Sequence, residues 1–530
     1  MPEVDPYQLG EQYQEHLDSA ERKAAGVHYT PKWLVDGVVQ MAFDGFTDAD
    51  LEAITVADLA CGSGAFLLGV ADYLVGRGLS PSRALTVLWG SDIDADALEV
   101  AHVALGAWAE RHGKRDADRG PHLAVGDALV KLPWDNAPSQ FSVVIGNPPF
   151  LGQMKSPTTR DKKYNAKLER ATGFQPSAYT DTAALFLARG VSITSPGGRV
   201  SMVLPQSVAA TRDGESARSF VDERATMTAA WVDEGDAFEA SVATWAPVFR
   251  VRTEPRDDVQ VIAEQSVIVR RGDFSQNQVR TAGRATSWAW VLSDSPEVSL
   301  TNPVTLGSLV NATAGFRDEY YALASAVVDD QTPSGDVCRL VTSGLIDPLV
   351  LHWGNRTARI AKQTWQAPCV DLRVIANDFP KIERWARNRL VPKVVLPAQT
   401  RIPEPAIDWD GSLVPLTPVV SVEPYDPVDV DRVAAVLLAP PVAAWAAQRR
   451  GGTGLSREAL RLSATDVESI PLPTDPTPWR NAAALILASR GDTSDSTARV
   501  LRVAELMTAA YEADEAVLRW WRERFERLRR

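Results

Sequence analysis

Short apolar runs alternate with helix-like stretches over residues 1–250, the texture of βα units feeding a parallel sheet. Runs rich in Val, Ile or Leu predict strands at Ile54–Leu59, Ala84–Ile93, Phe141–Gly146 and Arg199–Leu204. Ala65–Val75 and Asp94–His112 read as the intervening helices. An earlier helix is expected over Trp33–Phe43, with Thr30 as its N-cap and Pro31 at the first helical position. Residues 252–300 carry charged and polar stretches around one strand-like run, Val259–Ile262. From about Pro303 to Val428 prolines and tryptophans are frequent and periodicity is irregular, which suits a loop-rich recognition module. Val503, Met507, Ala510, Val517, Trp521, Phe525 and Leu528 then recur mostly at three- to four-residue steps, an amphipathic helix within Asp495–Arg530. Its last dozen residues hold six arginines against two glutamates, read as a solvated helix end rather than a partner-binding one. The expected domains are 1–250, a connector or extension over 251–302, then 303–475 and a helical segment over 476–530.

Bulk properties narrow the class. With 530 residues, 45% hydrophobic and 23% charged, the chain has room for two or three globular domains and is no disordered segment. No apolar run approaches the length of a bilayer span and the first residues lack a secretory pattern, so a cytoplasmic protein without a membrane partner is expected. Cys61, Cys338 and Cys369 lie far apart, and the six histidines have no ligand spacing, so neither a disulfide framework nor a metal site is expected. A net charge of −13 excludes a whole-surface nucleic-acid binder. A duplex, however, feels the field of one face, screened beyond ~10 Å. Binding DNA would require basic residues gathered locally.

The strongest chemical signal is the apolar run Val143–Gly146 passing directly into Asn147-Pro148-Pro149-Phe150. Two prolines cannot continue a ladder and fix the backbone at the strand's carboxyl end, which in an open α/β sheet faces the ligand crevice. An exocyclic amine on a base is a poor nucleophile because its lone pair is delocalised into the ring. Hydrogen bonds accepted by the Asn147 side-chain oxygen and the Pro148 carbonyl would draw that nitrogen towards tetrahedral geometry, while Phe150 stacks on a flipped base. The competing account is an ordinary strand-ending turn with a buried Phe.

Three further strand ends reinforce it. Val56-Ala57-Asp58-Leu59-Ala60-Cys61-Gly62-Ser63-Gly64 leads into a helix, and Gly62 and Gly64, lacking Cβ, let the backbone approach a ligand. The spacing is not GxGxxG, which disfavours a dinucleotide. Asp92 ends the next strand beside Ile93, where its carboxylate suits two ribose hydroxyls; Asp94 fits as the following helix cap. Asp127-Ala128 ends a further run, where Asp127 suits a cofactor's adenine amine.

Taken in order, HYTP, DLACGSGAF, GSDID, VGDAL and VIGNPPF resemble the gamma class of adenine-N6 DNA methyltransferases, over about residues 20–210. That class includes modification parts of type I and type IIG restriction systems and related phage-defence methylases. Looser likeness continues at Gly315–Tyr321, Gly451–Thr453 and Ile470–Pro473. The resemblance implies a Rossmann-like α/β fold with a seven-stranded, mixed but mostly parallel methyltransferase sheet, and a C-terminal α+β target-recognition region. It implies S-adenosyl-L-methionine as cofactor, contacted by Tyr29, Thr30, Asp58, Ala60, Cys61, Gly62, Gly64, Asp92, Ile93, Asp127 and Ala128, and catalysis by Asn147, Pro148, Pro149 and Phe150. One departure is Phe141-Ser142, where relatives have Phe-Asp.

The required basic patch follows the catalytic turn: Lys155, Arg160, Lys162, Lys163, Lys167 and Arg170 lie within sixteen residues. A loop there would hold phosphates of double-stranded DNA, against the plainer reading of a solvated helix face. Arg449, Arg450, Arg457 and Arg461 form a second candidate. Separate nuclease, helicase or specificity subunits are the partners such a system implies. Competing functions are methylation of another planar nitrogen (cytosine N4, RNA guanine, protein glutamine) and a non-catalytic DNA-recognition subunit. The nuclease-like Asp18 and Glu21-Arg22-Lys23 have no room for a nuclease fold.

Overall fold

The computed structural model describes residues 5–16, 30–113, 120–150, 162–177, 180–235, 237, 242–254, 266–281, 287–315, 317–451, 459–491 and 496–528. Tyr29, Lys155, Arg160, Arg457 and the strand expected at Val259–Ile262 lie outside them, as do Asp18 and Glu21–Lys23. The chain divides into two compact units, Met1–Leu292 and Ser293–Arg530.

The first unit is built on strands β1 (Val56–Asp58), β2 (Leu88–Asp92), β3 (His122–Val125), β4 (Phe141–Gly146), β5 (Thr194–Met202), β6 (Leu204–Pro205), β7 (Ala225–Val232), β8 (Thr244–Val251), β9 (Ser266–Arg271) and β10 (Gln276–Thr281). Their order is β10-β9-β7-β8-β5-β4-β1-β2-β3, with β6 also on β8. Strands β3, β2, β1, β4 and β5 are parallel, and β8 runs antiparallel between β5 and β7. From β1 the chain builds outward to β3, then returns to lay β4 on the other side of β1. Order reverses there, and in open α/β sheets the carboxyl ends of the strands at such a reversal are where ligand crevices form.

Both faces of this sheet are covered. Val56, Val143 and Ile145 join one apolar cluster, and Ala57, Val144 and Val200 join the other. Burial on both sides is why the strands read as continuous apolar runs rather than alternating ones.

Several expectations need correction. Ala84–Thr86 belong to a short helix, Pro81–Thr86, because the Ser80 side chain caps it from outside and Pro81 fits its first turn; only Leu88–Asp92 is strand. Among the described residues the sheet has ten strands, where seven were expected. The hairpin β9–β10 adds to the edge, β9 pairing parallel with β7 through Ala229–Val232. Part of the expected connector is therefore sheet, fastened by the buried Arg271 and Arg280, which donate to carbonyls of Val291, Leu292 and Trp290.

In the second unit, the expected loop-rich stretch carries many short strands joined by turns and short helices. Val310–Ala314, Val419–Pro424, Lys393–Pro397 and Ala406–Asp408 form one antiparallel sheet, backed by the buried helices Val430–Leu438 and Pro440–Arg450. The single helix expected near the end is two, Ser496–Ala510 and Glu515–Leu528. Glu512 between them has φ 51°, a left-handed conformation that ends the first helix. Among the described residues no single helix is long and apolar enough to cross a membrane.

Candidate active site

Strand β4 delivers Asn147 to the crevice. The Asn147 Nδ2 donates to Thr30 Oγ1 at 2.9 Å, and Asn147 Oδ1 is buried without a hydrogen-bond partner among the described residues. Native proteins rarely bury an acceptor unpaired, because the lost hydration costs about 1–3 kcal/mol. Pro148 is buried, and Phe150 is partly buried against both apolar clusters. Thr30 is therefore no N-cap. Pro31, with φ −57° and ψ 141°, holds the cap position of Lys32–Ala42 without a side-chain cap bond, and its extended geometry leaves the Thr30 hydroxyl to Asn147.

Across the switch point, the turn after β1 carries both glycines with positive φ, 51° at Gly62 and 88° at Gly64. Their reasons differ. A Cβ at Gly64 would lie 3.2 Å from Ala101 Cβ, so this glycine lets two helices close. At Gly62 nothing among the described residues stands within 4 Å of that position, so among them its backbone faces open space. The Gly62 amide donates to Asp92 Oδ2 at 2.8 Å, and Asp92 Oδ1 accepts from the Asp94 amide at 3.0 Å. Burial pushes the Asp92 carboxyl up. Ile93, next along, is 76% exposed, an apolar side chain held out at the strand end. Asp94 is the expected cap, accepting from Asp96 and Ala97 amides. Its other oxygen takes the Tyr13 hydroxyl at 3.0 Å; burial and that bond push the phenol up to about 12.

Asp58 is almost completely buried. It accepts from the Ala60 amide at 3.1 Å, yet burial pushes its carboxyl up to about 8. It packs against β4 so closely that a Cβ at Gly146 would sit 2.4 Å from Asp58 Oδ1. Burial drives the Cys61 thiol well above its ordinary range, so Cys61 contributes backbone rather than a thiolate.

Asp127 follows β3. Its Oδ1 accepts from the Leu129 amide at 3.0 Å and its Oδ2 from the Tyr164 hydroxyl at 2.8 Å. Tyr164 lies on the helix Lys162–Thr172, where a loop was expected; Lys162, Lys163, Lys167 and Arg170 are exposed on it. In the second unit, the Arg449 guanidinium sits 4.5 Å from the Trp445 ring centroid and Arg450 pairs with Asp466 at 2.5 Å. Ser142 Oγ accepts from the Thr55 amide at 3.2 Å. Sequence reasoning missed Gly146, Tyr13, Tyr164 and Arg189; only Gly146, a glycine closing an apolar strand, carried a local signal.

Residues 7–287, just over half of the chain, match the model of the N-6 DNA Methylase family. The chain belongs to that family. It is 26% identical over 260 residues to the type II methyltransferase M.VspI of Vibrio sp. (strain 343), covering 48% of this chain and 55% of that one. It is 27% identical over 208 residues to the adenine-specific methyltransferase PglX of Streptomyces coelicolor (strain ATCC BAA-471 / A3(2) / M145), covering 30% and 17%. The chain thus spans about half of M.VspI and a smaller share of PglX. In fold it is similar to the type IIL restriction-modification enzyme MmeI, solved with DNA, at TM-score 0.62 and 14% identity over 99% of this chain and 82% of that one. It is also similar to DrdV, solved with DNA, at TM-score 0.51 and 11% identity over 91% and 59%.

Proposed function

We propose that the protein is a site-specific DNA methyltransferase that moves a methyl group from S-adenosyl-L-methionine to N6 of an adenine flipped from double-stranded DNA. The observation that carries this reading is the buried, unpartnered Asn147 Oδ1 at the crevice end of β4. An amino group is the donor such an acceptor lacks. The open face of Gly62 and the acceptors of Asp92 and Asp127 fit a nucleoside with a cationic tail. When bound, the cofactor supplies an electrophilic methyl on a sulfonium.

The chain's residues then have separable roles. Asn147 Oδ1 and the Pro148 carbonyl accept the adenine N6 hydrogens and bring the nitrogen lone pair to bear, and Phe150 stacks on the base. Asp92 accepts ribose hydroxyls, Ile93 lies against the cofactor's adenine and Asp127 receives its amine. Lys162, Lys163 and Lys167, with Lys155 and Arg160, bind phosphates. Arg449 and Arg450 form a weaker second set. The second unit, above all 303–475, reads the target sequence. The biological setting is modification in a restriction or phage-defence system, with nuclease, helicase or specificity subunits as separate chains. Single-molecule sequencing of DNA from a methylation-free host expressing the chain tests the reading. N6-methyladenine in one sequence context is expected; unmodified DNA, or N4-methylcytosine, rejects it.

Asp92→Ala is expected to weaken S-adenosylhomocysteine about ten- to hundredfold, the loss of hydrogen bonds to a charged acceptor. An unchanged dissociation constant in calorimetry removes the ribose assignment.

Asp58 gives a pH dependence. Its proton stays on up to about 8, whereas a cationic α-ammonium favours the carboxylate form. Cofactor binding should therefore release a proton below that pH, and affinity should rise with pH until about 8 and then level. Without ligand the folded chain holds this proton when the unfolded chain does not, so its stability falls as pH rises from about 4 to about 8. Titrations of S-adenosylhomocysteine in buffers of different ionisation heat measure the release; none at pH 7 refutes it.

A further inference from the structure

The helix Lys162–Thr172 is joined twice to the turn that carries Asp127. Near its start, the Tyr164 hydroxyl donates to Asp127 Oδ2 at 2.8 Å. At its far end, Arg189 makes the second join. Arg189 is only 7% exposed, and its described hydrogen bonds go to backbone carbonyls rather than to a carboxylate. Its Nε donates to the Ala128 carbonyl at 3.0 Å and its Nη1 to the Ala171 carbonyl. Burying a guanidinium is costly, and burial does lower Arg189's pKa while the Asp127 charge opposes the shift. Between the two joins, Leu168 is buried in the same apolar cluster as Ala128 and Leu129, with Tyr164 packed against it. On its outer side the helix exposes Lys162, Lys163, Lys167 and Arg170.

Resting on the function proposed above, we infer that this helix couples DNA to the cofactor: Tyr164 is a positioning residue that sets the Asp127 carboxylate to receive the cofactor's adenine amine, and Arg189 ties the helix's last turn to the same segment. The hydroxyl fixes the carboxylate's rotation and leaves lone pairs on both oxygens for a further donor. Phosphates drawn to the outer lysines fix the helix, and through Tyr164 the orientation of Asp127. Coupling is reciprocal, so whatever DNA does for cofactor affinity, cofactor does for DNA affinity by the same factor. Selection of adenine over a 6-oxo purine follows too, since a carbonyl at that place would face the carboxylate and be repelled.

The test uses Tyr164→Phe, which keeps the ring packing and removes only the hydroxyl. Calorimetry compares S-adenosylhomocysteine with S-inosylhomocysteine, each with and without a random-sequence duplex. The wild type is expected to prefer the adenosyl compound and to bind it more tightly when the duplex is present. In Tyr164→Phe the preference should narrow by about three- to tenfold and the duplex-dependent gain should vanish. A purely structural role for Tyr164 would weaken both compounds equally. Equal weakening, or wild-type selectivity and gain in the variant, overturns the inference and leaves the methyltransferase reading standing. A wild type that shows no preference between the two compounds removes the Asp127 contact and with it the inference, while the sequencing experiment still decides the methyltransferase reading.

Discussion

Asn147→Ala is expected to bind S-adenosylhomocysteine as the wild type does and to lose methyl transfer by at least about a thousandfold. The magnitude is that of removing a preorganised group aimed at charge that develops only in the transition state. Among the described residues Asn147 Oδ1 has no partner, so on the proposed reading its interaction is held for the amine. As the nitrogen turns tetrahedral its hydrogens become more acidic, and the acceptor binds them more strongly than in the ground state. Single-turnover transfer of a radiolabelled methyl group measures this. A rate within tenfold of wild type would assign the chemistry elsewhere. Because the substitution also removes the bond from Asn147 Nδ2 to Thr30 Oγ1, Thr30→Val is the control: it breaks the same contact but spares Oδ1.

The second large effect is on the fold. Gly146→Ala should destabilise the first unit by about 2–4 kcal/mol, since a new methyl in a packed core forces its neighbours off their minima. The Cβ would overlap Asp58 Oδ1 at 2.4 Å and its Cγ at 2.9 Å, and Asp58, almost completely buried, has little solvent to swing into. Moving that carboxylate also breaks its bond from the Ala60 amide, so cofactor affinity should fall with stability. Thermal melting of the apo protein should drop by about 5–10 °C. A wild-type melting curve would show that Asp58 does not occupy that space.

What the sequence made legible was local. Strand β4 and Asn147–Phe150, the Gly62–Gly64 turn and the Asp94 cap are each written within about ten consecutive residues, because a strand end and its turn need particular residue types in a row. The misses are contacts between segments far apart in the chain. Thr-Pro before an apolar helix looks the same whether the hydroxyl caps the helix or, as here, meets Asn147 117 residues later. Strand β10, Gln-Asn-Gln-Val-Arg-Thr, is mostly exposed at the sheet's edge, so it carries no apolar period to betray it. Tyr164 and Arg189 were invisible for the same reason: Asp127 and Ala128 find them through the fold. The break at Glu512 has neither glycine nor proline to announce it.

The solitary oxygen of Asn147 also has an evolutionary consequence. If the proposed methyl transfer is its role, a lineage released from that need would gain stability by filling the position with an apolar side chain. Activity and thermal robustness pull against each other at this residue, and decayed copies of the gene should diverge there early.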